Sequence, residues 1–121
     1  MDSTQIVAKV TPTARSAKAL LLTHAGNLIT FADEQTLLWL GRDATCDLVV
    51  PEKTASRRHA RVGGRSDQLY LVDDSTNGTS VSLADGTEIL LRRESMLLRG
   101  VGKIALGTSI NSATDVVSFE V

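Results

Sequence analysis

The sequence predicts an all-β sandwich, and three observations carry that prediction. Short runs rich in Leu and Val recur at roughly eight- to twelve-residue spacing, with turn-forming residues between them. The last run alternates: Val117, Phe119 and Val121 face one way, Val116, Ser118 and Glu120 the other. From Ala19 onward no stretch keeps a helical period for about three turns. With 121 residues, 42% of them hydrophobic, the chain is long enough for one core and too short for two.

Residues 1–17 are rich in Ser, Thr, Ala and Lys, include Pro12 and show no period, so they read as a flexible tail or linker. Residues 18–121 form the predicted domain. Its first strands are 19–23, 27–31 and 37–40, the third followed by Gly41-Arg42. Strand 47–50 comes next, and Ser56-Arg57-Arg58-His59 leads into 60–62. Strand 69–72 runs into the turn formers from Asp73 to Thr79. Asp85-Gly86 lies between 81–83 and 88–91, where it signals a hairpin of type I′, whose two central residues need positive φ; Asn77-Gly78 reads the same way. Strands 95–98, 103–106 and 115–121 complete the set, and no internal repeat is present.

The formal net charge is −1, so no global field points to nucleic acid or an acidic membrane surface. The charge is nevertheless uneven. Between Arg42 and Arg65 stand Arg42, Lys53, Arg57, Arg58, Arg61 and Arg65 against Asp43, Asp47 and Glu52. Cys46 is the single cysteine, which excludes an internal disulfide and a cysteine-rich zinc site; with only His24 and His59 besides, neither a metal nor another cofactor is expected. No apolar run reaches membrane-spanning length and no charged leader precedes one, so a cytoplasmic setting is expected.

Three loop segments carry candidate chemistry. In Gly41-Arg42 the glycine permits a sharp turn, and the arginine presents a planar fork of donors suited to phosphate oxygens; alone, the pair also fits a surface arginine after a turn. Ser56-Arg57-Arg58-His59 offers a hydroxyl with adjacent cations, but equally fits a solvated basic turn, a nucleic-acid patch or a kinase recognition site. His59 has no nucleophile arranged beside it and reads as a hydrogen bond between loops. Asp73 and Asp74 lack the carboxylate ladder of a calcium loop and read as strand-exit and loop-bracing residues. Asn77 has an amide able to pair with the backbone of an extended ligand, with Gly78 making the turn behind it. Gly102-Lys103 fails as a phosphate-binding loop, because Leu97 stands where a glycine is required and Ile104 where Ser or Thr is. Cys46 reads as a small packed residue.

In this order and spacing, Gly41-Arg42, Ser56-x-x-His59 and Ser75-Thr76-Asn77-Gly78-Thr79 resemble the forkhead-associated (FHA) domain over about residues 19 to 121, including Asp47 soon after the Gly-Arg pair. The resemblance implies a β-sandwich of about eleven mostly antiparallel strands whose loops at one end bind a phosphothreonine peptide, without catalysis. Carried over, Arg42 and Ser56 would contact the phosphate and Arg57 the phosphate or the ligand backbone. Thr76 would line the pocket beside the phosphothreonine, Asn77 would bond the ligand main chain, and Gly41, His59 and Gly78 would hold loop shape. The implied partners are a Thr-phosphorylated protein and a Ser/Thr kinase pathway, with no nucleic acid and no membrane. Residues 97–107 resemble FHA modules attached to bacterial class III nucleotide cyclases, which implies a fused or associated cyclase domain. Two other function classes compete: a phosphate-independent structural or oligomerisation module, and a polyanion-binding domain built on Arg57, Arg58, Arg61 and Arg65. Aromatics make up only 3% of the chain, which leaves the second short of stacking platforms.

Overall fold

The computed structural model describes residues 20–31, 37–65 and 68–121; the predicted tail, 1–17, lies outside them. Among the described residues eleven strands follow one another: β1 (Leu20–His24), β2 (Asn27–Phe31), β3 (Leu38–Gly41), β4 (Leu48–Val49), β5 (Ala60–Arg65), β6 (Gln68–Asp73), β7 (Thr79–Leu83), β8 (Glu88–Leu91), β9 (Ser95–Leu98), β10 (Val101–Leu106) and β11 (Val117–Glu120). One sheet has the order β9-β6-β5-β3-β4, the other β2-β1-β11-β10-β7-β8. Pairing is antiparallel except between β3 and β4.

Alternation explains why these segments sit as strands. In β1 Leu20, Leu22 and His24 point inward, and in β11 Val117 and Phe119 do. The fully buried side chains come from both sheets, among them Leu40, Val62, Leu69 and Leu71 from one and Leu20, Leu22, Val81, Ile104 and Leu106 from the other. Each such residue contributes about 1.5–3 kcal/mol relative to exposure, most of it offset by ordering the chain. Gly102 lies inside β10, where an added Cβ would meet the Ser82 carbonyl oxygen at 2.3 Å and the Phe119 ring at 2.7 Å. Its place is therefore in the packing of the sheet, away from any phosphate-binding turn.

The turns correct three expectations. Gly86 has φ +92° but Asp85 does not lie in the left-handed region, and Gly86 N–H donates to the Leu83 carbonyl at 2.9 Å. The hairpin is thus a three-residue loop, a right-handed turn closed by one left-handed glycine, and not type I′. Asn77-Gly78 makes no hairpin at all, because it joins β6 in one sheet to β7 in the other. Among the described residues the turn with positive φ at both positions is Ala25-Gly26 (51° and 83°) between β1 and β2, where an alanine gives little sequence signal. Gly41 also differs: it ends β3 instead of making a sharp turn, and its value lies in the close approach described below.

Strand directions gather the functional loops. β1, β3, β6, β8 and β10 end, and β2, β5, β7, β9 and β11 begin, at the same end of the sandwich. Segments 42–59, 74–78, 92–94 and 107–116 therefore meet there.

Candidate functional site

At that end the loops are bonded to one another. Gly41 brings two of them together: a Cβ there would lie 2.1 Å from the Arg57 carbonyl oxygen. That closeness lets Arg42 N–H donate to the Ser56 carbonyl and Asp43 N–H to the Arg57 carbonyl, both at 3.1 Å. The Arg42 side chain folds the same way, its Nε–H donating to the Ala55 carbonyl at 2.9 Å. The exposed guanidinium is fixed through Nε, and its terminal N–H groups are left to face solvent. Asp47, the residue noted after the Gly-Arg pair, accepts Trp39 N–H at 2.7 Å and ties the loop to its own strand.

His59 joins the second loop to the third. Ser56 N–H donates to His59 Nδ1 at 2.8 Å, and the opposite ring nitrogen, Nε2, lies 2.8 Å from the Gly78 carbonyl. A nitrogen that accepts carries no proton, so the ring is the neutral Nε2–H tautomer, donating to Gly78. Its main chain adds two further ties, His59 N–H to the Leu40 carbonyl and Asp74 N–H to the His59 carbonyl, each at 2.9 Å. Burial pushes the imidazole pKa down, against the Gly78 carbonyl and the Asp73 charge, which raise it. Both nitrogens are thus committed to the scaffold.

The third loop is organised by Asp73, 1% exposed. Its Oδ1 accepts the hydroxyls of Ser75 at 2.6 Å and Thr79 at 2.7 Å, and its Oδ2 accepts Arg93 N–H at 2.8 Å. Burial raises the carboxyl pKa, but these hydrogen bonds outweigh it and hold the group below the ordinary carboxylate value. Asp74 pairs with Arg61 on the surface. Both acids brace the loop, as their strand-exit position suggested. The Ser75 hydroxyl in turn accepts Gly78 N–H at 2.7 Å, and Gly78 takes φ +91°.

Thr76 and Asn77 are thereby held at the exposed rim. Thr76 N–H donates to Ser56 Oγ at 3.2 Å, and Asn77 Nδ2 donates to the Thr54 carbonyl at 3.2 Å. Because Ser56 Oγ accepts from Thr76, its own proton stays available to a ligand. Arg57 points its side chain outward while its carbonyl accepts from Asp43 N–H and from the Cys46 thiol. Cys46 is buried, and burial pushes its thiol pKa up. Arg93 was missed in the sequence. It has φ 56°, and its Nε–H donates to the Ser75 carbonyl at 2.9 Å; nothing in its local sequence signals a contact with a loop 18 residues away.

Gly41, Arg42, Ser56, Arg57, His59, Thr76, Asn77 and Gly78 therefore lie in one bonded cluster. It presents a guanidinium, a hydroxyl and a carboxamide at a single rim, a donor set suited to an anion with several acceptor oxygens on an extended chain. Among the described residues no group of three or more His, Cys, Asp and Glu side chains is arranged to hold a metal ion.

The family model of the FHA domain matches residues 38–100, just over half of the chain. The chain belongs to the FHA domain family. No curated protein matches it in sequence. Solved FHA domains share its fold. FHA-1 of Mycobacterium tuberculosis Rv1747 is 21% identical with a TM-score of 0.65, over 84% of this chain and 94% of that one. The N-terminal FHA domain of S. cerevisiae Rad53p, solved with a phosphothreonine peptide, is 18% identical with a TM-score of 0.65, over 86% and 94%. The MEK1 FHA domain, solved with a phosphothreonine HOP1 peptide, is 24% identical with a TM-score of 0.64, over 84% and 95%. All the candidate residues, and Arg93, fall inside the matched FHA segment, whereas β1, β2, β10 and β11 lie outside it.

Proposed function

We propose that this FHA domain is a non-catalytic, phosphothreonine-dependent protein–protein interaction module. Arg42 and Ser56 bind the phosphate, and Arg57 reaches the phosphate or the ligand backbone. Thr76 lines the pocket beside the phosphothreonine, and Asn77 pairs with the ligand main chain. Gly41, His59 and Gly78 hold the loops in place. The observation that carries this reading is the Ser56 hydroxyl, which accepts Thr76 N–H and so keeps a free proton beside the tethered Arg42. Two FHA domains of the same fold are solved with phosphothreonine peptides.

The energetics agree. A phosphothreonine carries about 1.5–2 negative charges and three strong acceptor oxygens. Two or three charge-assisted hydrogen bonds at about 1.5–3 kcal/mol each exceed what an unmodified hydroxyl gains. Ordering the peptide removes part of that, which places affinity on the order of micromolar. The partner is a protein phosphorylated on Thr by a Ser/Thr kinase in the cytoplasm, so phosphorylation switches association on. The likeness of residues 97–107 to cyclase-linked FHA modules extends the proposal to a regulatory role beside a nucleotide cyclase.

The test is calorimetric titration with matched peptides, phosphorylated and unmodified. Only the phosphorylated peptide binds, and Arg42→Ala weakens it by about 2 kcal/mol, roughly thirtyfold. Equal affinity for the two peptides, or an undiminished Arg42→Ala variant, contradicts the proposal.

A further inference from the structure

Away from the phosphate rim, the outward face of the five-stranded sheet carries a second, built feature. The single Trp and the single Tyr of the chain, Trp39 on β3 and Tyr70 on β6, stand on this face. Trp39 pairs across with Arg61 in the register, and Tyr70 with Gly63. Two guanidiniums lie over the one indole, Arg58 with its carbon 5.3 Å from the ring centroid and Arg61 at 5.6 Å. Like charges on one ring repel, and only Arg61 has a carboxylate partner among the described residues, Asp74. Arg65, exposed and on the same strand as Arg61, adds a third cation.

Beside this cluster runs a groove of about 200 Å³ whose lining includes Leu37, Arg61, Gly63, Arg65 and Tyr70. Gly63 forms part of its floor. Its φ lies outside the left-handed region, so the backbone does not demand glycine there, and an added Cβ would meet only the flexible Leu37 side chain, at 3.1 Å. Glycine inside a central strand forfeits packing, and one setting that keeps it is the close approach of another chain.

We infer that this face is a docking surface for an acidic, extended segment of the same partner polypeptide that carries the phosphothreonine. Charge complementarity selects the occupant: from the rim across this face Arg57, Arg58, Arg61 and Arg65 outnumber Asp43, Asp47 and Asp74, on a protein whose net charge is −1. Arg58 belongs to the Ser56–His59 loop, so the acidic segment continues directly from the phosphate rim. Nucleic acid fits less well, since the indole a base would stack on is already covered by two guanidiniums. The inference rests on the phosphothreonine reading for the orientation of the ligand.

The test compares three probes by titration at low salt: a short phosphothreonine peptide, the same peptide with a Glu-rich extension, and the same with a Gln-rich extension of equal length. The Glu-rich extension tightens binding about tenfold over the Gln-rich one, the size that about three exposed charge pairs supply. Arg58→Gln combined with Arg65→Gln, and separately Gly63→Val, abolish that gain while the short peptide binds as before. No gain from the Glu-rich extension, or a gain that survives both variants, overturns the inference while leaving the phosphate site standing. Failure of the short phosphopeptide to bind defeats both readings. Displacement of the acidic peptide by a single-stranded oligonucleotide of higher affinity at this face overturns the choice of partner.

Discussion

The two ends of the sandwich are built on opposite plans. At the far end the described turns are held from within or by their nearest strand. Gly86 N–H returns to the Leu83 carbonyl, Asp85 accepts Thr87 N–H, and Val121 N–H reaches the Gly100 carbonyl. The glycines there have open space around them, with no atom within 4 Å of a Cβ built on Gly86 or Gly100. At the near end the bonds run between loops: Arg42 to Ala55, Thr76 to Ser56, Asn77 to Thr54, and His59 to Gly78. The glycines of the site loops are crowded, with Cβ positions 2.1 Å from a carbonyl oxygen at both Gly41 and Gly107, whereas Gly26, in the tight β1–β2 turn at the same end, has open space. The difference teaches where the fold spends its order. Far-end turns form locally, whereas the near-end loops reach their positions only when both sheets are in place. A ligand then meets donors already ordered, which lowers the entropic cost of binding.

The largest effect that separates the ends is expected from glycine replacement. Gly41→Ala drives a Cβ into the Arg57 carbonyl and parts two loops, costing about 3 kcal/mol. Gly86→Ala meets no neighbour and costs about 1–2 kcal/mol for its left-handed backbone alone. Denaturant unfolding of both variants checks the contrast, and equal costs would show that the near end is no more constrained than the far one. His59→Ala comes next. It leaves the Gly78 carbonyl and the Ser56 N–H without their partner and opens a cavity, for a loss of about 2–3 kcal/mol. Phosphopeptide affinity falls with it, because two loops lose their tie; a variant that unfolds normally yet binds as before would refute this.

Ser56→Ala separates the roles further. Stability drops by only about 1 kcal/mol, for the bond from Thr76. Binding drops about tenfold or more, for the lost donor to phosphate. The smallest effect is that of pH. His59 is held neutral with its pKa below the ordinary value of 6.5, so the unfolded chain takes up the proton first as pH falls. Its contribution is complete above about pH 6.5 and is lost progressively below it. Asp73, depressed from 3.8, keeps its contribution down to that range and loses it as pH falls through the lowered value. Thermal unfolding between pH 8 and 5 should therefore decline in the native protein and flatten in His59→Ala. A midpoint rising toward pH 5 would have the wrong sign.

The same contrast explains what the sequence made legible. Strands with one buried face announce themselves by alternation, and Val117 and Phe119 are buried as their spacing required. Strand ends are less well marked: β5 runs on through Gly63 and Gly64 because β6 pairs with both. Turn positions were readable but turn types were not. Asp85-Gly86 closes a hairpin of a different kind, and among the described residues the turn with two positive φ values falls on Ala25-Gly26. In the site, the residues picked from the sequence fall on loops that the fold bonds together at one end. Their reasons were partly hidden. Gly41 serves an approach of another loop and Arg93 grips one from 18 residues away, and neither contact has a local signature.

The central claim is that the near-end loops, and those alone, read a phosphorylated threonine. Backbone amide shifts of the labelled protein, recorded during titration with a phosphothreonine peptide and with its unmodified twin, put that claim to the test. The predicted result is perturbation concentrated at Arg42, Ser56, Arg57, Thr76 and Asn77, quiet far-end turns at Gly86 and Gly100, and no response to the unmodified peptide. Perturbation of equal size with the unmodified peptide, or one centred on the far end, would contradict it.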